Sequence, residues 1–217
     1  MQNVTTRADQ APRRASRQEM RGRAAVIALL EDGQQRLGRR GYRKLVEEST
    51  HDRHTETRWT AAWALCELGE SHPRWAVSLL AEMITARNSV SRDLDVRMAA
   101  ACAMGSIATQ HPRPVLNAVR TLACHHNDDV LIAVACGVLE HLLEDHWELC
   151  RPVVERWLAG RDRRPKWCLL HCYLPGRIEG EILRRLANDP DAVVRRRAAP
   201  ALARWETKAR RKKGPVQ

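Results

Sequence analysis

The chain has 217 residues, 44% of them apolar, enough for one domain or one stack of small repeats and too apolar for a wholly disordered protein. Aromatic residues make up only 4%, with no Phe, 2 Tyr and 7 Trp, so the core must be built from closely packed Ala, Leu, Val and Ile. That suits helices meeting at short distance and disfavours a β-sandwich, whose strands favour β-branched and aromatic residues; the expected class is all-α.

The formal net charge of +11 is unevenly placed. Residues 1–50 hold 11 basic and 6 acidic side chains, residues 51–150 hold 8 and 13, and residues 151–217 hold 18 and 7. Basic ends around an acidic middle suggest an anionic partner for the ends, nucleic acid or an acidic protein surface. Genome composition offers a competing explanation, since only 5 of the 37 basic residues are Lys. No segment approaches the roughly 18 apolar residues of a membrane span. The run Ala24 to Leu30 stops at Glu31 and Asp32 without a signal-peptide cleavage pattern, and Arg13–Arg14 has no hydrophobic stretch close behind. A cytoplasmic location is therefore expected, with the 7 cysteines reduced.

In chain order, residues 1–17 lack any apolar pattern and are expected to be a disordered basic arm. Residues 18–50 are expected to supply a helical N-terminal cap. From 51 to 207 the chain repeats itself. Segments Thr57–Gly69, Val96–Ala108, Val130–Leu142 and Val194–Trp205 each open on a small β-branched residue, usually followed by Arg. Each then runs through Ala to Leu or Met, which gathers small residues on one helical face; the third fits only with a slip of one residue. Glu56, Asp95, Asp128 with Asp129, and Asp189 with Asp191 stand just ahead as N-caps or first-turn charges. The long last step implies a degenerate fourth copy opening at Pro165.

A second helix follows each first one. His72-Pro73 and His111-Pro112 open two of them, and Ala76, Val77, Leu80, Met83 and Ile84 match Val115, Leu116, Val119, Leu122 and Ala123 as one apolar stripe. His146-Trp147 takes the same turn in the third unit, with Leu149, Val153 and Leu158 behind it. Pro175-Gly176 takes it in the fourth, with Ile182, Leu183 and Leu186. The tail 208–217 is basic and expected to be disordered, suited to nonspecific polyanion binding through counterion release.

The first-helix pattern, Val-Arg-x-x-Ala-Ala-x-Ala-Leu in its fullest form, resembles the HEAT repeat in its short bacterial version over about residues 51–207. The likeness is strong at 57, 96 and 194, weaker at 130 and poor at 165; Pro200 fits a family whose first helix is often kinked by proline. The resemblance implies a right-handed α–α superhelix, a solenoid of about five helical pairs whose second helices line a concave docking face. Phycobilin lyases also contain such repeats, but the repeats alone do not carry that activity.

Arg58, Arg97 and Arg195 share one repeat position. In HEAT-like stacks that residue commonly pairs with the acidic turn of a neighbouring repeat, so these three, with Asp95 and Asp129, are expected to be structural. The remaining candidates for a polyanion are Arg151, Arg156, Arg161, Arg163, Arg164, Lys166, Arg177, Arg184, Arg185, Arg196, Arg197 and Arg204, with Arg210, Arg211, Lys212 and Lys213 in the tail. Arg161 to Lys166 is the densest run, placed in a loop where guanidinium forks can clasp phosphates; a merely solvated loop is the alternative.

Cys168, His171 and Cys172 share a helical turn and Cys124, His125 and His126 are contiguous, yet zinc needs about four ligands. Cys66, Cys102 and Cys136 occupy Ala-rich positions where a small apolar group is wanted, so packing is the expected role and no metal or cofactor is expected. Trp59, Trp63 and Glu67 resemble a segment of the alkylpurine DNA glycosylases built on HEAT-like repeats, which hold a damaged nucleotide with tryptophans and a carboxylate. The Trp-Trp-Asp segment of that family is missing, and the surrounding sequence is net acidic, the wrong sign for DNA. Trp147, Trp157, Trp167 and Trp205 read as fillers or partner-facing anchors. No phosphate loop or nucleophile elbow is present, and no small-molecule substrate is evident. The expected function is a non-catalytic scaffold whose basic C-terminal third docks DNA or RNA. The alternatives are a purely protein-binding adaptor or a DNA glycosylase, with Trp63 and Glu67 as its catalytic pair.

Overall fold

A computed structural model describes residues 17–86 and 94–212, apart from the side chains of 17–23, 31, 32, 177 and 212. Most of the basic arm, the loop 87–93 and the end of the tail with Lys213 lie outside the described residues. Among the described residues every regular element is helical, so the class is all-α. The helices are α1 (Arg17–Thr50), α2 (Thr55–Ser71), α3 (Pro73–Thr85), α4 (Leu94–Gln110), α5 (Pro112–Leu122), α6 (Asp128–Val134), α7 (Glu140–Asp145), α8 (Trp147–Ala159), α9 (Arg163–His171), α10 (Gly176–Ala187) and α11 (Ala192–Lys212). A π-helical turn, Ala135–Leu139, joins α6 to α7.

α1 is two helical segments meeting at Gly38, where φ 64° and ψ 166° require glycine and turn the chain sharply. Twelve residues of straight helix span about 18 Å, yet the Tyr42 hydroxyl donates to the Leu30 carbonyl at 2.6 Å, so the two segments fold back on each other. Burial beside Leu30 pushes the Tyr42 phenol up, with a smaller contribution from the Glu67 carboxylate.

The junction between first and second helices is built the same way three times. His72, His111 and His146 adopt nearly equal backbone angles, φ −134°, −128° and −133°. Each donates its N–H at 2.9 Å to the carbonyl four residues back, on Leu68, Ile107 and Leu142. Pro73 and Pro112 follow at the helix start, where a missing N–H leaves no bond unmade. The His111 ring also contacts the Glu70 carbonyl at 3.1 Å, reaching the end of the preceding first helix. The stripes of α3 and α5 are buried as the periodicity predicts. α8 departs by one position: Cys150, Val154, Trp157 and Leu158 are buried, whereas Leu149 and Val153 are half-buried. The helix starts at Trp147, and its apolar face is set at i, i+4, i+7 and i+8 from Cys150.

Packing follows the chain. α2 lies on α1, α3 and α4; α4 lies on α3, α5, α6, the π turn and α7; α6 lies on α9, and α9 and α10 lie on α11. The slip of one residue in the third unit is the π turn, since a wider turn takes up one extra residue and restores Leu139, Leu142 and Leu143 to the core. The π turn meets α4 almost backbone to backbone. A methyl on Gly137 would stand 2.6 Å from the Ala101 Cβ and 2.9 Å from the Cys102 nitrogen, and one on Gly105 would strike the Gly137 carbonyl. α11 continues through Lys212, so residues 208–212 are helical, not disordered as expected. Its Ala, Lys and Arg are strong helix formers and extend the last helix without a break.

Gly137→Ala is expected to destabilise the protein by about 1–3 kcal/mol, because overpacking against backbone has no flexible side chain to absorb it. Gly176→Ala, whose methyl meets nothing within 4 Å at the start of α10, is the control and is expected to leave Tm unchanged or slightly raised. Thermal unfolding of both variants measures the difference.

Candidate functional site

The densest basic run of the C-terminal third, Arg161 to Lys166, was expected in a loop, but Arg163, Arg164 and Lys166 lie in the first turn of α9. The Asp162 side chain caps that helix, accepting the Arg164 N–H at 3.0 Å, and takes the Arg164 guanidinium at 2.9 Å (Nε) and 2.8 Å (Nη2). The guanidinium hydrogen bonds hold the Asp162 carboxyl below its ordinary range, and Arg164 is thereby committed to its own turn. Arg161 and Arg163 stay exposed. Four residues on from Arg163, the Trp167 ring has two cations against it, Arg163 at 5.3 Å and Arg197 of α11 at 4.8 Å from its centroid. Arg184 of α10 lies 5.0 Å from the Trp205 ring of α11, where Gly180 lets the indole press against α10. Cations over indole faces are attracted by the ring quadrupole, which fixes the guanidinium plane and leaves its N–H edge for solvent or ligand.

Lys166 is a correction. Its ammonium is 1% exposed and bonds the Asp189 carboxylate, itself 2% exposed, at 2.5 Å, so it is closed to a polyanion. Pro165–Lys166 occupies the degenerate copy's version of the Val194–Arg195 position, and Asp189 belongs to the turn before α11. Asp189 also accepts the Asp191 N–H at 2.9 Å, while its carbonyl accepts Arg195 Nη1 at 2.6 Å. Asp191 in turn caps α11 by accepting the Val193 N–H at 2.7 Å, which lowers its carboxyl pKa. The carboxylate lock between neighbouring units thus falls to Lys166.

The repeat arginines work through backbone carbonyls. Arg58 donates to the Asp52 carbonyl at 2.5 Å, Arg97 to that of Ala86 at 2.8 Å, and Arg195 to those of Asp189 and Pro190 at 2.6 and 2.7 Å. Arg58 and Arg195 thereby satisfy the turns ahead of their own helices, and Arg97 the C-cap carbonyl of α3. Asp95 lies exposed in the first turn of α4, and the Asp129 N–H is capped by the Asn127 side chain at 2.8 Å.

The other basic candidates are spread over several helices. Arg185 of α10 pairs with Glu155 of α8. Arg151, Arg156, Arg196, Arg204, Arg210 and Arg211 are exposed, and Arg204, Lys208 and Arg211 flank an open depression of about 510 Å³ along α11. Only the backbones of Arg177 and Lys212 are described, and Lys213 lies outside the described residues. A basic depression of about 380 Å³, lined by Arg39, Arg40, Arg43, Lys44, Glu47 and His72, went unnoticed in the sequence; Arg43 lies 4.4 Å from the Trp75 ring there. The excess of basic side chains over residues 1–50 was its only signal.

Trp63 and Glu67 both lie on the exposed face of α2. Cys150, Cys168 and Cys172 are buried, whereas Cys136 is exposed. Burial pushes the Cys150 thiol up to about 11, and raises those of Cys168 and Cys172 as well. Among the described residues, no group of three or more His, Cys, Asp or Glu is placed to hold a metal ion, and no helix is long and apolar enough to cross a membrane. Comparison with protein family models, curated proteins and solved structures gives no match.

Removing one partner of the Lys166–Asp189 pair strands a buried charge, so Lys166→Ala and Asp189→Ala are each expected to cost about 3–5 kcal/mol. Replacing both by Met and Leu should cost less than the sum, as measured by denaturant unfolding. A second expectation concerns alkali. The unfolded chain ionises the Cys150 thiol near its ordinary value of about 8.5, the folded one only near about 11. The neutral buried thiol therefore favours the folded state fully below that ordinary value, and stability falls as pH rises toward the folded one. The loss should be smaller in Cys150→Ala when unfolding is compared on either side of that window.

Proposed function

We propose that the chain is a non-catalytic binding module of the HEAT-like α-solenoid kind, about five helical pairs with a basic C-terminal third that docks DNA or RNA. Support for the architecture comes from the order of contacts: first helices α2, α4, α6 and α9 each pack on the next first helix, ending at α11. The recurring His junction between first and second helices supports it equally. The observation that carries the binding function is the pair Arg163 and Arg197 on Trp167. Neither makes an ion pair with a carboxylate within 4 Å among the described residues. Asp162 and Asp191 lie near enough to Arg163 to feel its charge but do not pair with it. Two exposed cations from different helices, set on one indole and not held in an ion pair, suit a phosphate backbone. A glycosylase function is not favoured, because the α2 face around Trp63 and Glu67 presents carboxylates to any approaching phosphate.

Fluorescence anisotropy with a labelled random duplex and a single strand, across a salt series, tests this proposal. Binding is expected at about 50 mM salt and should weaken steeply as salt rises. The variant Arg163→Glu/Arg197→Glu should bind at least tenfold more weakly, with a log–log salt slope reduced by about 1–2. Absence of wild-type binding at low salt would remove the nucleic-acid function.

A further inference from the structure

α2 buries Thr57, Arg58, Ala61, Ala62, Leu65, Leu68 and Gly69, and turns Trp59, Trp63, Glu67 and Glu70 to solvent. Steps of four, four and three residues place those four on one face. The tryptophans are 46% and 39% exposed and meet edge to face, with ring centroids 5.9 Å apart and planes at 64°. Helix α2 has one basic residue, Arg58, and that side chain is buried and bonded to the Asp52 carbonyl. Its outward face therefore combines indoles with carboxylates and offers no cation of its own. Neither Glu67 nor Glu70 makes an ion pair among the described residues. Residues 51–150, in which the face lies, are net acidic.

Charge complementarity names the occupant. A polyanion is repelled by this face, and an apolar partner would leave Glu67 and Glu70 desolvated without a counter-charge. A cationic side chain satisfies both features at once, its head attracted to the indole faces and to the carboxylates one and two turns along, its alkyl stem covering the exposed rings. We propose that the outward face of α2 docks an arginine- or lysine-rich segment of a partner protein, held by Trp59, Trp63, Glu67 and Glu70. This site stands apart from the nucleic-acid surface and binds the opposite charge.

The test titrates the full chain into a fluorescent oligoarginine peptide at low salt, with an oligoglutamate peptide of equal length as the negative probe. Oligoarginine should bind and oligoglutamate should not. Trp59→Ala/Trp63→Ala and Glu67→Gln/Glu70→Gln should each weaken oligoarginine binding about tenfold, while Glu82→Gln/Glu148→Gln, which removes acidic charge elsewhere, leaves it within about twofold. Equal weakening by all three double variants would reduce the effect to general charge attraction and overturn the proposal, as would absence of wild-type binding. Sedimentation decides the remaining occupant: self-association abolished by Trp59→Ala/Trp63→Ala would make the partner a second copy, against the proposal. Helical circular dichroism establishes that the variants fold. Duplex binding unchanged by them separates this site from the basic third, so either proposal can fail alone.

Discussion

The fold depends on how closely its first helices approach one another. Where the π turn crosses α4, the spaces beyond the Gly105 and Gly137 α-carbons are taken up by backbone, by Ala101 and by the His141 ring, so neither position has room for a side chain of its own. At such separations the contact layer must be alanine and glycine, which is why Ala61, Ala62, Ala100, Ala101, Ala103, Ala133 and Ala135 are buried. Larger side chains fill the second layer, where Leu80, Ile84, Val115, Val119 and Val154 pack from the following helices. A chain without phenylalanine thus builds a dense interior through short spacing, with many weak dispersion contacts in place of a few large rings. Where an indole does come in close, as Trp205 does on α10, Gly180 makes the room.

Charge in this molecule is sorted by environment more than by sequence position. Arg58, Arg97 and Arg195 serve backbone carbonyls, Lys166 is sealed inside with Asp189, and Arg164 and Arg185 face carboxylates. Arg43, Arg163, Arg184 and Arg197 lie on indole rings. The formal charge therefore overstates what the surface offers, and among the cations left for a ligand, Arg43, Arg163, Arg184 and Arg197 are the ones that tryptophans hold in place. The same indole chemistry on α2, with carboxylates instead of guanidiniums around it, presents the opposite preference.

How much of this was legible in the sequence varies with the strength of the local signal. The helices, the His-Pro junctions and the stripes of α3 and α5 followed from spacing, because small and apolar residues recur there in unchanged register. Lys166 was misplaced because its repeat is degenerate: Pro165 in place of Val and Lys in place of Arg hid the equivalence with Arg195, and its neighbours Arg161, Arg163 and Arg164 suggested a surface. The repeat arginines were expected to pair with the acidic turn of a neighbouring repeat; Arg58 and Arg195 do reach turns that carry Asp52 and Asp189, but through backbone carbonyls, which donor counting alone does not distinguish from carboxylates. The fold-back at Gly38 rests on a single residue's φ, and the stacking of Arg163 and Arg197 on one ring needs two helices to be placed in space. Neither leaves a periodic trace.

The π turn at Ala135–Leu139 has a consequence for how such a chain tolerates length changes. An inserted residue in an α-helix rotates everything after it by about 100°, which would carry Leu139, Leu142 and Leu143 out of the interior. One wide turn confines that rotation to a few peptide units, and the downstream helix re-enters in phase. Phase at the interface is what the molecule holds constant, and the number of residues between interfaces is free to drift.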